Sequence, residues 1–475
     1  AYNTAVGFEA GKAITTGVQN TLIGGEAGDA LTDADFNVAV GYAALSTDTL
    51  GSRNIAIGRN VLGSQNFTTA TNGNNTAVGY EAGRSTTTGI DNTLYGSNAG
   101  YAITDADENT AMGRSALATN VLGGRNTAIG YNALNAANPA SAGVMLNTAV
   151  GWQAGLNVGT GISNTLIGSE AGDALTNTND NTAVGRLALS GDTLGTKSTA
   201  IGRGALKVQN FTTATDTFNT AVGYSAGESI TTGVQNTIIG ALAGDALTTG
   251  KQNVAIGYLA LSSDDVGQKS VAIGEGALFT QNYATATDSL NTAVGYNVGN
   301  AVTTGTNNTF VGANAGDATD DGSSNTAVGS SALSANCGDN NVAVGYSALA
   351  VTTGANNVAI GASAAAKQEG PDINICIGSS AGQELTSGDA NILIGYLSGR
   401  HGINLATGGG NVLIGSYTDT TATDTDLANV IGYNVSGAGG YTTLGINADD
   451  IRAAHGNITW ATVSDERVKK DIEDA

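Results

Sequence analysis

The sequence predicts an all-β fold, a parallel β-solenoid of the β-roll kind, and three observations carry that prediction. A five-residue string close to Asn-Thr-Ala-Val-Gly returns from Asn3 nearly to the C-terminus. Its spacing is scheduled: copies begin at Asn3, Asn20, Asn37, Asn54 and Asn75, three equal steps followed by a longer one. Within each copy, residues alternate with a two-residue period and close on Gly, which is the pattern of a short strand followed by a turn. One strand and one turn cannot bury an apolar face alone, so the units must stack as rungs.

The super-repeat of 72 residues makes Asn3, Asn75, Asn147, Asn219 and Asn291 equivalent. Beyond Asn325 the spacing loosens through Asn341, Asn357, Asn374, Asn391 and Asn411, ending in a degenerate copy at Asn429. The leading Asn can adopt left-handed backbone angles and bond its neighbours' backbone, and the closing Gly turns the chain without steric cost. The fourth position, filled by Val6, Ile23, Val40 and Ile57 with Tyr95 and Met112 as departures, is expected to face an apolar interior of mostly Ala and Val. A second short strand is expected through the Ala at the eighth position. The ninth position alternates in size, Gly11 and Gly28 then Leu45 and Leu62, as interdigitating layers would require. About 25 rungs at roughly 4.8 Å each would give an elongated rod of about 120 Å.

Composition narrows the functions. The chain has 475 residues, 70 of them Gly and only 2 Pro, without the three-residue period of collagen. Its net charge of −22 disfavours nucleic acid and anionic membranes as partners. No apolar run reaches membrane length, so no membrane insertion is expected. Cys337 and Cys376 sit at different repeat positions and read as free small residues. Residue 1 is Ala in mid-repeat, which reads as an internal piece of a longer chain.

Several constellations invite a chemical reading. The longer fourth steps carry matched insertions with an aromatic residue, Phe67, Phe211 and Tyr283; such rings could contact a host glycan, or pack against a neighbouring chain. Asp-rich turns at 29–35 and 317–321 could gather oxygens around Ca²⁺, but fit no EF-hand spacing, so solvated turn carboxylates are expected. His401 and His455 lack Cys or carboxylate partners at ligand spacing, so no metal and no cofactor is expected. The recurring Gly-Tyr-x-Ala is no phosphate loop, because no helix follows it. A solenoid lyase would need carboxylate pairs or a basic cluster breaking the period, and the central rungs have none. The Thr column (Thr4, Thr21, Thr76, Thr93) would suit an ice-binding rod, but Val38, Ile55 and Val254 interrupt it.

So short a rung encloses a thin core, and association of several chains is expected to supply the missing burial. Across roughly residues 3–435 the column pattern of Asn, a Val-Ala-Ile-Gly-like strand and a trailing Ala resembles the head repeats of trimeric autotransporter adhesins. That resemblance implies a homotrimer of left-handed parallel β-rolls. The rung here is longer than that family's.

After 446 the composition shifts. Residues 1–446 read as the repeat shaft and 447–463 as a connector. The charged segment Ser464-Asp465-Glu466-Arg467-Val468-Lys469-Lys470-Asp471-Ile472 resembles the opening motif of the self-cleaving intramolecular chaperone domain of phage tailspikes and tail fibres, so 464–475 would be the start of that domain. The resemblance implies Ser464 as nucleophile, Lys469 as its base, Asp465 and Arg467 as supports of the local fold, and scission between Val463 and Ser464. The chemistry is consistent, since a Ser hydroxyl needs a base and a buried Lys can serve. Ser464 would equally suit a helix N-cap, with Asp465 and Glu466 in the first turn. The chain ends at Ala475, short of the length that family's domain has. Repeat and motif together lead to the expectation of a trimeric structural fibre of a phage virion, joined to other virion or baseplate proteins and attaching to the host surface. The alternative is a trimeric adhesin of the bacterial cell surface.

Overall fold

The computed structural model describes residues 2–370, 372–456 and 461–462. It contains strands and turns and, among the described residues, no helix. The chain divides into two units, Ala1–Thr249 and Gly250–Ala475, and each is a parallel β-solenoid.

In the first unit, three-residue strands from Thr4–Val6 to Thr237–Ile239 form one parallel ladder. Each pairs in repeat register with the next: Thr4 with Thr21, Ala5 with Leu22, Val6 with Ile23. The longer step keeps that register, because Ile55, Ala56 and Ile57 pair with Thr76, Ala77 and Val78. Its extra residues are absorbed on the far side of the coil, where a second, two-residue ladder forms between Gly51–Ser52 and Thr71–Asn72. Gly123–Gly124 with Gly143–Val144 and Gly195–Thr196 with Thr215–Asp216 repeat it.

The second unit winds in the same way from Val254–Ile256 to Asn429–Tyr433 and Tyr441–Ile446. There the direction changes. Asp449–Ala454 runs antiparallel to Tyr441–Ile446, and Ala461–Thr462 antiparallel to Asp449–Ala454.

Four expectations need correction. The fourth position faces outward: Ile23, Ile57, Ile129 and Ile201 are between 36% and 40% exposed. The third position is the inward one, with Leu22, Ala39, Ala56 and Ala77 fully buried. The reason is the Asn: its side chain is buried at the first position, so pleating sends positions one and three in, and two and four out. The core is accordingly Ala, Leu and Asn rather than Ala and Val. Secondly, the left-handed residue is the one before the Asn, as at Gln19 (φ 60), Phe36 (φ 60) and Arg53 (φ 63).

Thirdly, no strand runs through the eighth-position Ala. Left-handed residues flank it, Glu26 (φ 59) and Gly28 (φ 55) around Ala27, and extended pairing cannot persist there. Coils are still bonded at this corner, Gly28 N–H donating to Ala44 O at 2.9 Å. Lastly, the final copy is offset by one residue: Ala428 takes the Asn place, its N–H donating to Asn411 Oδ1 at 2.8 Å, and Asn429 pairs with Val412.

The buried Asn residues form a ladder. Asn37 N–H donates to Asn20 Oδ1 at 2.9 Å and Asn54 N–H to Asn37 Oδ1 at 2.9 Å, while Asn37 Nδ2 closes its own coil on Gly51 O at 2.8 Å. Each amide thus satisfies backbone groups that a thin core would otherwise strand. Leu22, Leu94 and Leu166 recur once per super-repeat and fill the volume left by glycines at the ninth position. A Cβ on Gly155 would come within 2.7 Å of Leu166 Cδ1, and one on Gly172 within 2.7 Å of Leu166 Cδ2. Where the ninth position is Leu, as at Leu45 and Leu62, the third is Ala39 or Ala56. Volume is conserved across the pair, which is what close packing demands.

Candidate functional site

The cleavage motif, from Val463 through Ser464, Asp465, Arg467 and Lys469, lies outside the described residues. The aromatic insertions do not reach the surface. Phe67, Phe211 and Tyr283 are 4%, 6% and 5% exposed, because the longer coil widens around them instead of looping out. Each ring closes over a buried carboxylate. Asp48 accepts from Gln65 Nε2 (2.7 Å), Gly51 N–H (3.0 Å) and Phe67 N–H (3.2 Å), and Gln65 Oε1 accepts from Asn75 Nδ2 (2.9 Å). Asp192 with Gln209 and Asp264 with Gln281 repeat the arrangement, and burial raises both carboxyl pKa values against the opposing Gln hydrogen bonds. In the second super-repeat Ala137 replaces the Gln, and there the Asp is replaced by Asn120, which bonds Gly123. Carboxylate and donor are lost together, the signature of a structural pair and not of a reactive acid. Tyr283 adds a hydroxyl donating to Gly305 O at 2.8 Å.

The Asp-rich turns are bonding devices between coils. Asp35 Oδ1 accepts from Val18 N–H and Asp107 Oδ1 from Ile90 N–H, both at 2.8 Å, and Thr16 donates to Asp33. Among the described residues no group of three or more His, Cys, Asp or Glu is placed to hold a metal. Cys337 and Cys376 are free and buried; burial pushes the Cys376 thiol up to about 12, so it is inert at neutral pH.

Two carboxylates, Asp173 and Asp419, are set to titrate, burial pushing each up to about 6. At Asp173 the neighbouring Glu170 adds to the rise. The native chain then holds a proton that the unfolded chain, with a carboxyl near 4, has already released. Stability contributed by this group is present below about pH 4 and is lost as pH rises to about 6. Asp173→Asn is expected to melt at the same temperature as wild type at pH 4, and at a higher one at pH 7.5, in paired thermal scans.

Two surfaces remain. The first is the outward face of the main ladder, made of positions two and four. From Thr4–Val6 to Tyr441–Ile446 no Asp, Glu, Lys or Arg occupies either position of the parallel ladder. The face is almost all Thr, Val and Ile, with Tyr95, Met112, Asn429 and Leu444 as departures, in a chain carrying 40 acidic residues. The second is the column at position six, just beyond the turning Gly, where Tyr42, Tyr80, Trp152 and Tyr224 are between 46% and 51% exposed. At some steps its side chains stack from one coil to the next. Arg59 Cζ lies 5.7 Å from the Tyr80 ring, Arg114 Cζ 5.7 Å from Tyr131, and Tyr131 lies 6.4 Å from Trp152 at 12°. In the second unit Tyr396, Tyr417 and Tyr433 meet edge to face at 5.3 and 5.6 Å, with His401 4.7 Å from Tyr417. A cavity of about 240 Å³ opens among His401, Tyr417, Tyr433 and Asn434.

No family model, curated protein or solved structure matches the chain. The solenoid has therefore to be read from its own surfaces. Of these, the aromatic column was visible in the sequence as the repeated Gly-Tyr-x-Ala, but only the coil geometry shows that its rings point outward in one line. The uncharged face could have been found by asking which strand positions never carry charge. No helix of the described residues is long and apolar enough to cross a membrane.

Proposed function

We propose that the chain is the shaft of a structural fibre of a phage virion, a homotrimer of left-handed solenoids that serves host-surface attachment. The observation that carries the association is the uncharged Thr/Val/Ile face. Over the fourteen coils of the first unit, a strip about 10 Å wide rising about 4.8 Å per coil amounts to roughly 700 Å². That is close to the ~800 Å² each partner contributes to a standard interface. The strip joins a row rich in Thr hydroxyls to a continuous row of outward, mostly Val and Ile side chains, without a charge to desolvate. Three nearly identical solenoids can slip by one coil at small cost, so a nucleating domain at one end that fixes their alignment would be needed. The resemblance at Ser464 to Ile472 supplies such a domain. Cleavage between Val463 and Ser464, with Ser464 as nucleophile and Lys469 as base, would leave a kinetically stable fibre.

The test is the intact mass of denatured chains from the full-length gene product, beside Ser464→Ala, with sedimentation of the native protein. Trimers whose wild-type chains end at Val463, and whose variant chains are uncut, are expected. Uncut chains in both, from folded trimers, would favour the alternative, a trimeric adhesin of the bacterial surface. Monomers in both would remove the association itself.

A further inference from the structure

The aromatic column carries a motif with the period of the super-repeat. At the first coil of a super-repeat position six is a ring, and at the next coil it is a small residue: Tyr80 then Ser97, Trp152 then Ser169, Tyr224 then Ala241. One face of each ring is covered from the preceding coil. Arg59 lies 5.7 Å from Tyr80, Arg203 5.3 Å from Tyr224, and Tyr131 stacks on Trp152. The other face looks over a side chain that ends at Cβ or Oγ, and the rings stay 46%, 47% and 50% exposed.

Skipping one coil opens a notch about 10 Å long beside each ring, room for one pyranose ring in stacking contact. Across the notch the residue after the small one is tied back to the ring residue: Asn98 N–H donates to Tyr80 O and Glu170 N–H to Trp152 O, both at 2.9 Å. That residue is Asn98 at the first notch, Glu170 at the second and Leu242 at the third. Asn98 Oδ1 is buried, so the feature common to the notches is the open ring face over a small residue. An exposed aromatic platform in a concave step is an element of ligand sites, and it recurs here every four coils, about 19 Å.

We propose that these notches are subsites for neutral hexopyranose units of an extended polysaccharide lying along the coil column. Neutral sugars fit because the net charge of −22 repels acidic chains, and because Arg59 and Arg203 are engaged on the covered ring faces and Arg114, one coil beyond Ser97, lies over Tyr131. Arg186 stands one coil beyond Ser169, at the far end of the notch beside Trp152. Weak single contacts spaced along one rigid body add through effective concentration. This assignment rests on reading the chain as an attachment fibre, and it moves the glycan contact from the buried Phe67, Phe211 and Tyr283 to the outward column.

Affinity electrophoresis of the full chain through gels holding dextran, yeast mannan or a neutral bacterial O-polysaccharide tests it. Retardation by at least one is expected. The triple variant Tyr80→Ala, Trp152→Ala, Tyr224→Ala should weaken it at least tenfold, and Ser169→Arg, which fills one notch and leaves the ring, should weaken it about twofold to fivefold. No retardation on all three gels, or equal retardation of wild type and triple variant, overturns the proposal. So does failure of acrylamide to quench Trp152 fluorescence in the assembled protein in a Trp460→Phe background, since the rings would then be covered by another copy. Trimers cut before Ser464 that bind none of the three polymers would overturn the notches and leave the fibre reading intact; binding by an uncut monomer would do the reverse.

Discussion

Gly168→Ala is expected to destabilise its coil by about 3 kcal/mol or more, although it adds a single methyl group. Gly168 has φ +136, a region that residues with a Cβ rarely enter, and a Cβ there would lie 2.5 Å from Gly185 O in the next coil. Neither neighbour can yield, because Gly151 and Gly185 belong to the same stacked column. The control is Gly155→Ala, where φ is +59 and the contacts are the tips of Leu166 and Leu134 at 2.7 and 2.9 Å. Those side chains can shift, so the expected cost is nearer to about 1 kcal/mol. Coils contact only their neighbours, so the loss is local. Hydrogen exchange should show faster opening around residues 165–185 and little change some coils away; equal protection in both variants would contradict the account.

Asn164→Ala should cost about 3 kcal/mol, because it strands several groups at once. Asn164 Nδ2 donates to Thr178 O at 2.8 Å and to Asn147 Oδ1 at 3.1 Å, and its Oδ1 accepts from Asn181 N–H at 3.1 Å. All are buried, and alanine leaves space without a partner. Asn164→Ser should fall between, since the ladder tolerates Ser198 where the Thr217 hydroxyl, 2.6 Å from Ser198 Oγ, completes the bonding. The amide of Asn181 should lose exchange protection in both variants, and urea unfolding should order them as wild type, Ser, Ala.

The fold class was legible because a fixed period with a strand and a closing Gly admits few solutions. The direction of each face was not. Val and Ile at position four are more apolar than Ala at position three, and hydrophobicity alone places the wrong column inside. What decides the matter is the buried Asn, whose amide completes backbone bonds in the neighbouring coil, a partner no local pattern displays. The pairing of Leu22 with Gly28 and of Ala39 with Leu45 did contain the answer, since only inward positions need to compensate one another in volume. Phe67 misled for a related reason: an aromatic residue in an insertion resembles an exposed tip unless one knows that Asp48 and Gln65 have widened the coil beneath it. The column at position six was readable residue by residue, but that Trp152 is covered by Tyr131 on one side and half exposed beside Ser169 on the other depends on which coils stack.

The change of strand direction at Asp449–Ala454 bears on colloidal behaviour. Parallel, in-register strands stacked with identical residues in line are the geometry by which fibrils recruit further chains, each end offering a row of unpaired amides to the next arrival. A hairpin folded back on Tyr441–Ile446 satisfies that row from within the same polypeptide, and the new outer strand, itself covered in part by Ala461–Thr462, runs against the direction of the solenoid ladder. Templated growth in parallel register is thereby disfavoured on that side of the ladder, which separates a solenoid of defined length from an open-ended aggregate built on the same bonds.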